Sequence, residues 1–242
     1  MKGGSSLSFR LRSYGAALIF VQLAGCGERD ASTNDVAAPA VAAPPPAPLQ
    51  APKREGKLVL AFGDSLYAGY GVAQGESFPA ELEKALNKAG VAATVHNGGV
   101  SGDTTAAGRQ RLAFTLDGLP RKPDLVVLGL GGNDMLRGLP VKETEANLRA
   151  MLDELRKRNI PLILTGMLAA PNMGRDYADR FNALYPALAK EYGAGLYPFF
   201  LDGVVTDAAL MLPDRIHPNA AGIDRVVERM APIVAERLRA GG

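Results

Sequence analysis

The chain has 242 residues, 47% of them hydrophobic, which is enough to bury the core of one full-sized domain and leave an appendage. Its formal net charge is only +2 and no basic run is interleaved with aromatics, which speaks against a nucleic-acid partner. A single cysteine, Cys26, excludes any disulfide within the chain.

The first residues read as a targeting segment. Lys2, Arg10 and Arg12 precede a mostly apolar run at 14–23, well short of the roughly 20 residues that span a bilayer. Residues 1–25 are therefore expected to be a signal peptide. It ends in Leu23-Ala24-Gly25-Cys26, which resembles the lipobox of bacterial lipoproteins and makes Cys26 the expected lipidation site. The alternative is an ordinary secretory signal with a chance cysteine. Residues 26–55 are rich in Ala, Pro, Ser and Asp and contain Pro44-Pro45-Pro46. Such a segment buries too little apolar surface to fold, and its prolines stiffen it into a spacer of about 3.1 Å per residue. The folded domain is expected over 56–242, tied to the cell envelope by a lipid anchor. A soluble periplasmic domain is the alternative.

The domain opens on Lys57-Leu58-Val59-Leu60-Ala61-Phe62, an apolar run typical of a strand buried on both faces. The run breaks at Gly63-Asp64-Ser65-Leu66, which places Ser65 where open α/β sheets bind ligands. Read alone, Ser65 serves equally well as a helix cap. Ser77 is the expected cap of a helix carrying Phe78, Leu82, Ala85, Leu86 and Ala89, which stops at Gly90. A short strand at 91–95 leads into Asn97-Gly98-Gly99-Val100-Ser101-Gly102-Asp103-Thr104, a turn opening another helix. Read alone, this turn serves either as a cap, through Asp103 or Thr104, or as a functional turn in which Gly102 lets the backbone aim an N–H at a reacting group.

A third strand at 124–130 ends in Gly131-Gly132-Asn133-Asp134, where Asn133 either donates its amide into the same crevice or belongs to a tight turn. The spacing then predicts a helix at 147–157, a strand at 160–165 and a helix at 177–192 kinked or divided at Pro186. A weak fifth strand is expected at 196–200 and a final helix at 219–238. Before that helix comes Asp214-Arg215-Ile216-His217-Pro218. An Asp three positions before a His can fix the imidazole tautomer, although the same residues also make surface turns. The only other histidine, His96, has no acidic neighbour and reads as structural. Strand and helix alternate throughout, so the expected fold is α/β: a three-layer α/β/α sandwich around a doubly wound, flavodoxin-like parallel sheet of about five strands. All strand carboxyl ends then share one rim.

These stretches resemble, in order, the four sequence blocks of the SGNH, or GDSL-type, hydrolases. Gly63-Asp64-Ser65-Leu66 matches the nucleophile block, Gly102 the glycine block, Asn133 the asparagine block, and Asp214 with His217 the final block. Within that family the chain looks closest to the branch of bacterial multifunctional thioesterases, lysophospholipases and arylesterases, through Leu136-Arg137-Gly138, Tyr185-Pro186 and Ile216-His217-Pro218-Asn219. The resemblance implies a serine esterase acting on aryl, acyl or lysophospholipid esters and on thioesters, without metal or cofactor. It implies Ser65, His217 and Asp214 as the triad. The oxyanion hole would be the N–H groups of Ser65 and Gly102 with the Asn133 amide. A monomer is expected. Two other classes remain: a catalytically silent lipid- or glycan-binding domain, and a phosphate-binding α/β domain, for which no P-loop is present.

Overall fold

The computed structural model describes residues 56–241. The expected signal peptide, Cys26 and the whole of the spacer lie outside them. Five strands, β1 (Lys57–Gly63), β2 (Ala93–Gly99), β3 (Leu125–Gly129), β4 (Leu162–Thr165) and β5 (Gly195–Tyr197), form one parallel sheet in the order β2-β1-β3-β4-β5. Seven α-helices connect and follow them: α1 (Ser65–Ala68), α2 (Phe78–Lys88), α3 (Thr105–Asp117), α4 (Gly132–Leu136), α5 (Val141–Lys157), α6 (Arg175–Tyr192) and α7 (Ala220–Ala240). This is the flavodoxin-like order expected from the alternation. No described helix is long and apolar enough to cross a membrane.

The two-residue repeat of the strands divides the core. Val59 and Ala61 of β1 pack with Phe78 and Leu82 of α2 and Val226 and Met230 of α7. Leu58, Leu60 and Phe62 face the other way, into Leu112 of α3, Leu148 of α5 and Phe181 of α6. Each large side chain fully buried in this way contributes roughly 1.5–3 kcal/mol of transfer free energy. Next to Ser65, Tyr67 stacks on Phe200 and meets Phe78 edge-on, with ring centroids 5.2 and 5.0 Å away.

Several boundaries differ from those the pattern predicts. β2 begins at Ala93 and runs on through Asn97-Gly98-Gly99, because those glycines keep register with Phe62 and Gly63. A Cβ at Gly99 would stand 2.3 Å from the Ala68 amide nitrogen, so only glycine lets α1 lie this close. α5 starts six residues early, at Val141, where Pro140 occupies the cap and polar residues hide the apolar period. α6 starts at Arg175 and passes through Pro186 undivided, since its packed face outweighs one missing hydrogen bond. β5 ends at Tyr197, after which the Phe200 N–H donates to the Gly166 carbonyl and turns the chain.

The sheet order positions the site. From β1 the chain moves outward to β2, then crosses to β3 on the other side, leaving a crevice at the carboxyl ends of β1 and β3. Two cavities of about 440 and 250 Å³ open at the opposite end of the sheet, around Leu119, Arg121 and Arg158 and around Pro161, Tyr192 and Arg237.

Candidate active site

Asp64 settles what the first turn is for. Its Oδ1 accepts from the Leu66 N–H at 3.0 Å, and its carbonyl accepts from Tyr67 and Ala68, so Asp64 caps α1. Ser65, the first helical residue, is thereby released from capping. Its Oγ lies 2.8 Å from His217 Nε2, across 152 positions of sequence. Gly69 then ends α1 in the left-handed region at φ +88°.

His217 sits in a loop that is closed on itself. The Leu212 N–H donates to the His217 carbonyl at 2.8 Å, and Asn219 caps α7 through the Gly222 N–H. Asp214 Oδ1 accepts from the backbone N–H of Ile216 and His217, and Oδ2 lies 2.7 Å from His217 Nδ1. A carboxylate only accepts, so Nδ1 carries the proton and the neutral ring presents Nε2 as acceptor to the Ser65 hydroxyl. Partial burial raises the Asp214 pKa, but the His217 ring and the two backbone N–H groups outweigh it and bring it down to about 2. Asp214 thus stays ionised at any ordinary pH. The exposed ring of Tyr70 lies over the imidazole, with centroids 4.3 Å apart.

The other two expected residues stand on neighbouring strand ends. Gly102 has φ +84°, in the turn closed by the Asp103 N–H on the Val100 carbonyl. A Cβ there would meet nothing closer than an Arg137 nitrogen at 3.8 Å, so conformation rather than space calls for glycine. Of the two expected caps it is Thr104 that caps α3, through the Ala107 N–H. Asn133 lies in the first turn of α4, which begins at Gly132, rather than in a simple turn. Its Nδ2 donates to the Asp103 carbonyl at 3.0 Å and lies 3.4 Å from Asp64 Oδ2. The N–H groups of Ser65 and Gly102 meet no acceptor among the described residues.

Asp64 differs in kind from Asp214. It is 3% exposed, and desolvation pushes its pKa up to about 6 against the pull of the Leu66 N–H and His217. His96, expected to be structural, is instead exposed on the edge strand β2, apart from the loop that holds His217. Three neighbours of the site escaped the sequence reading. Tyr70 stands between two glycines with no partner implied by spacing. Asp64 hides a second contact, to Asn133, behind its cap. Arg111 lies a helix away, where an arginine on a polar face reads as solvated. Among the described residues no cluster of His, Cys, Asp and Glu is arranged to hold a metal.

Comparison with known proteins agrees with this geometry. The GDSL-like Lipase/Acylhydrolase family model matches residues 61–225. An arylesterase of Vibrio mimicus is 37% identical over 190 residues, 78% of this chain and 94% of that protein. Thioesterase 1/protease 1/lysophospholipase L1 of Escherichia coli K12 is 37% identical over 174 residues, 72% of this chain and 81% of that one. Among solved structures, AlinE4, an SGNH-hydrolase family esterase, is 50% identical with a TM-score of 0.65, covering 75% of this chain and 96% of its own. TesA is 36% identical with a TM-score of 0.70, covering 75% and 99%. The chain therefore belongs to the GDSL-like lipase/acylhydrolase family and is a serine hydrolase of the SGNH esterase type.

Proposed function

We propose that Ser65 is the nucleophile of this esterase and forms an acyl-enzyme. Its Oγ attacks the ester carbonyl while His217 Nε2 takes the hydroxyl proton and later delivers it to the leaving oxygen. Asp214 holds the ring and stabilises the imidazolium. The oxyanion is received by the N–H groups of Ser65 and Gly102 and by the Asn133 amide, each such donor worth about 2.7–4 kcal/mol. The amide's bond to the Asp103 carbonyl persists, while its long 3.4 Å contact to Asp64 gives way to the oxyanion. Water then deacylates Ser65 with His217 as base. The observation that carries this reading is the continuous Ser65–His217–Asp214 relay, 2.8 and 2.7 Å, at the carboxyl end of β1.

The substrate class is aryl and lipid esters ahead of thioesters. The relatives named arylesterase and lysophospholipase support the first, and the relative named thioesterase supports the second as a lesser activity. The lipobox-like Leu23-Ala24-Gly25-Cys26 supports a domain anchored in the envelope through lipidated Cys26. Gly27 stands where inner-membrane retention would favour Asp, which favours the periplasmic face of an outer membrane. Acyl chains contribute about 0.8 kcal/mol per buried CH₂, so two or more make release negligible. A monomeric esterase held at a lipid surface meets lysophospholipids and hydrophobic esters far more often than acyl-CoA.

A fluorophosphonate probe tests the chemistry: labelling should depend on Ser65, and labelling unchanged in Ser65→Ala refutes the assignment. Rates on graded p-nitrophenyl esters, lysophosphatidylcholine and acyl-thioesters rank the substrates, and a faster thioester reverses the order. Cell fractionation of the parent and Cys26→Ala proteins tests the anchor, which fails if the parent is fully soluble.

A further inference from the structure

We infer that the ion pair between Arg111 and Asp103 is the positioning device of the oxyanion hole, an inference that rests on the site proposed above. Three donors must converge on one oxygen, yet they follow three different strands, and no two are close in sequence. Asp103 touches the supports of all three. Its N–H closes the turn that holds Gly102 at positive φ. Its carbonyl accepts from Asn133 Nδ2 at 3.0 Å and so aims the amide. Its carboxylate accepts from Arg111 Nε at 2.6 Å.

Arg111 carries the linkage to the nucleophile. Its Nη2 donates at 2.8 Å to the Gly63 carbonyl, whose own peptide leads directly into Asp64 and Ser65. The same guanidinium lies 3.9 Å above the Phe62 ring, whose side chain is fully buried, so its plane is fixed from below. Two directional N–H donors and a flat face are properties of arginine that lysine lacks. The side chains of Arg111 and Asp103 are 21% and 12% exposed, so solvent screens this pair less than it screens the outer ion pairs. Neither residue reaches the reacting atoms, and both act through the groups they hold. α3 thus does more than cover the sheet. It carries, two turns in, the arginine that ties the glycine turn to the nucleophile strand.

Because oxyanion donors act chiefly in the transition state, loosening them should lower kcat rather than raise KM. Arg111→Leu, Arg111→Lys and Asp103→Asn should each reduce kcat on p-nitrophenyl butyrate by about 10- to 100-fold, the scale of a displacement of about 1 Å. KM should stay within about threefold of the parent. The affinity of butylboronic acid, whose adduct with Ser65 places a tetrahedral oxygen in the hole, should fall by the same factor as kcat. The Arg111→Leu/Asp103→Asn double variant should lose no more than the worse single one, since both break one linkage. Arg158→Leu, which removes the ion pairs with Asp117 and Glu154 on the outer surface, should leave kcat unchanged. Arg111→Lys keeps the charge, so it covers the case in which the leucine variant does not fold.

Unchanged kcat in folded Arg111→Lys and Asp103→Asn would overturn the inference. So would a boronate affinity that does not follow kcat, or losses that add in the double variant. Should Ser65→Ala stay active, the site itself is wrong. Should Ser65→Ala be dead while the clamp variants keep parental kcat, only the clamp is wrong.

Discussion

Replacing Asp64 with asparagine removes a carboxylate buried at the carboxyl end of β1, and its effect should depend on pH in a calculable way. Desolvation lifts the Asp64 pKa from an ordinary 3.8 to about 6 in the folded protein. Below pH 3.8 the group is protonated whether the chain is folded or not, and it takes nothing from stability. Between pH 3.8 and 6 the unfolded chain ionises Asp64 freely while the folded chain resists, so each increment of pH favours unfolding. At about 1.4 kcal/mol per pH unit, the full loss is about 3 kcal/mol, complete above pH 6. In Asp64→Asn the side-chain carbonyl can still cap Leu66, but an NH₂ group faces Asn133 Nδ2 where an acceptor stood. That mismatch displaces the stability curve by a constant without changing its slope. Urea unfolding of parent and variant at half-unit steps from pH 4 to 7.5 isolates the slope. The parent should lose stability relative to the variant by about 3 kcal/mol across that window. Curves that run parallel would show that Asp64 ionises as freely in the fold as out of it, and would refute the desolvation argument.

Four further outcomes follow from the geometry. Ser65→Ala should fold normally and lose ester hydrolysis by roughly 10⁴-fold or more, measured on p-nitrophenyl esters; retention within tenfold of the parent would contradict the site. Asn133→Ala should lower kcat by roughly 10²–10³-fold with KM little changed, and a pure KM effect would make Asn133 a binding residue only. His217→Gln should abolish turnover, whereas His96→Gln, at an exposed edge-strand position, should alter neither rate nor thermal midpoint; equal losses in both would be inconsistent with the relay. Arg215 holds φ +56° between Asp214 and His217, a conformation costing a side-chain-bearing residue about 1–2 kcal/mol, and glycine returns part of that as unfolded-chain entropy. Arg215→Gly should therefore stabilise the fold by about 0.5–1 kcal/mol in urea titrations, and a clear loss would show that the Arg215 side chain holds the loop.

What the sequence discloses here is local, and what it conceals is long-range. The apolar runs at 57–62 and 124–130 announce buried parallel strands, because a run without polar alternation has no solvent face. Asp214 and His217 are legible as a pair because three residues separate them and one tight loop can join them. The β2 boundary was misplaced because Gly98 and Gly99 look like turn residues until the nearness of α1 explains them. Pro186 does not divide α6, because helix propensity is a local quantity, whereas Phe181, Leu184 and Leu188 hold the helix from outside. His96 was given a structural part only because it lacked an acidic neighbour, which says nothing about burial on an edge strand. Arg111 was silent for the same reason: its partners, Gly63 and Asp103, lie 48 and 8 positions away.

The two carboxylates of the site show how environment assigns roles to identical groups. Asp214 is a third exposed and receives the ring N–H and two backbone N–H groups, so it remains an anion and can orient His217 over the whole working range. Asp64 has one backbone donor and almost no solvent, and its charge is resisted. Exchanging their surroundings would exchange their chemistry, because a neutral partner could not stabilise an imidazolium as it forms. The resisted charge at Asp64 also has a use. As an anion it can only accept, which suits both the Leu66 N–H that frees Ser65 from capping and the Asn133 amide beside it. Below its pKa the carboxyl acquires a hydroxyl proton that must point at a neighbour. Burial therefore works against the ionised form that holds the first turn and the asparagine in the arrangement Ser65 and His217 need, and the stability lost as pH rises is the cost of keeping that anion in place.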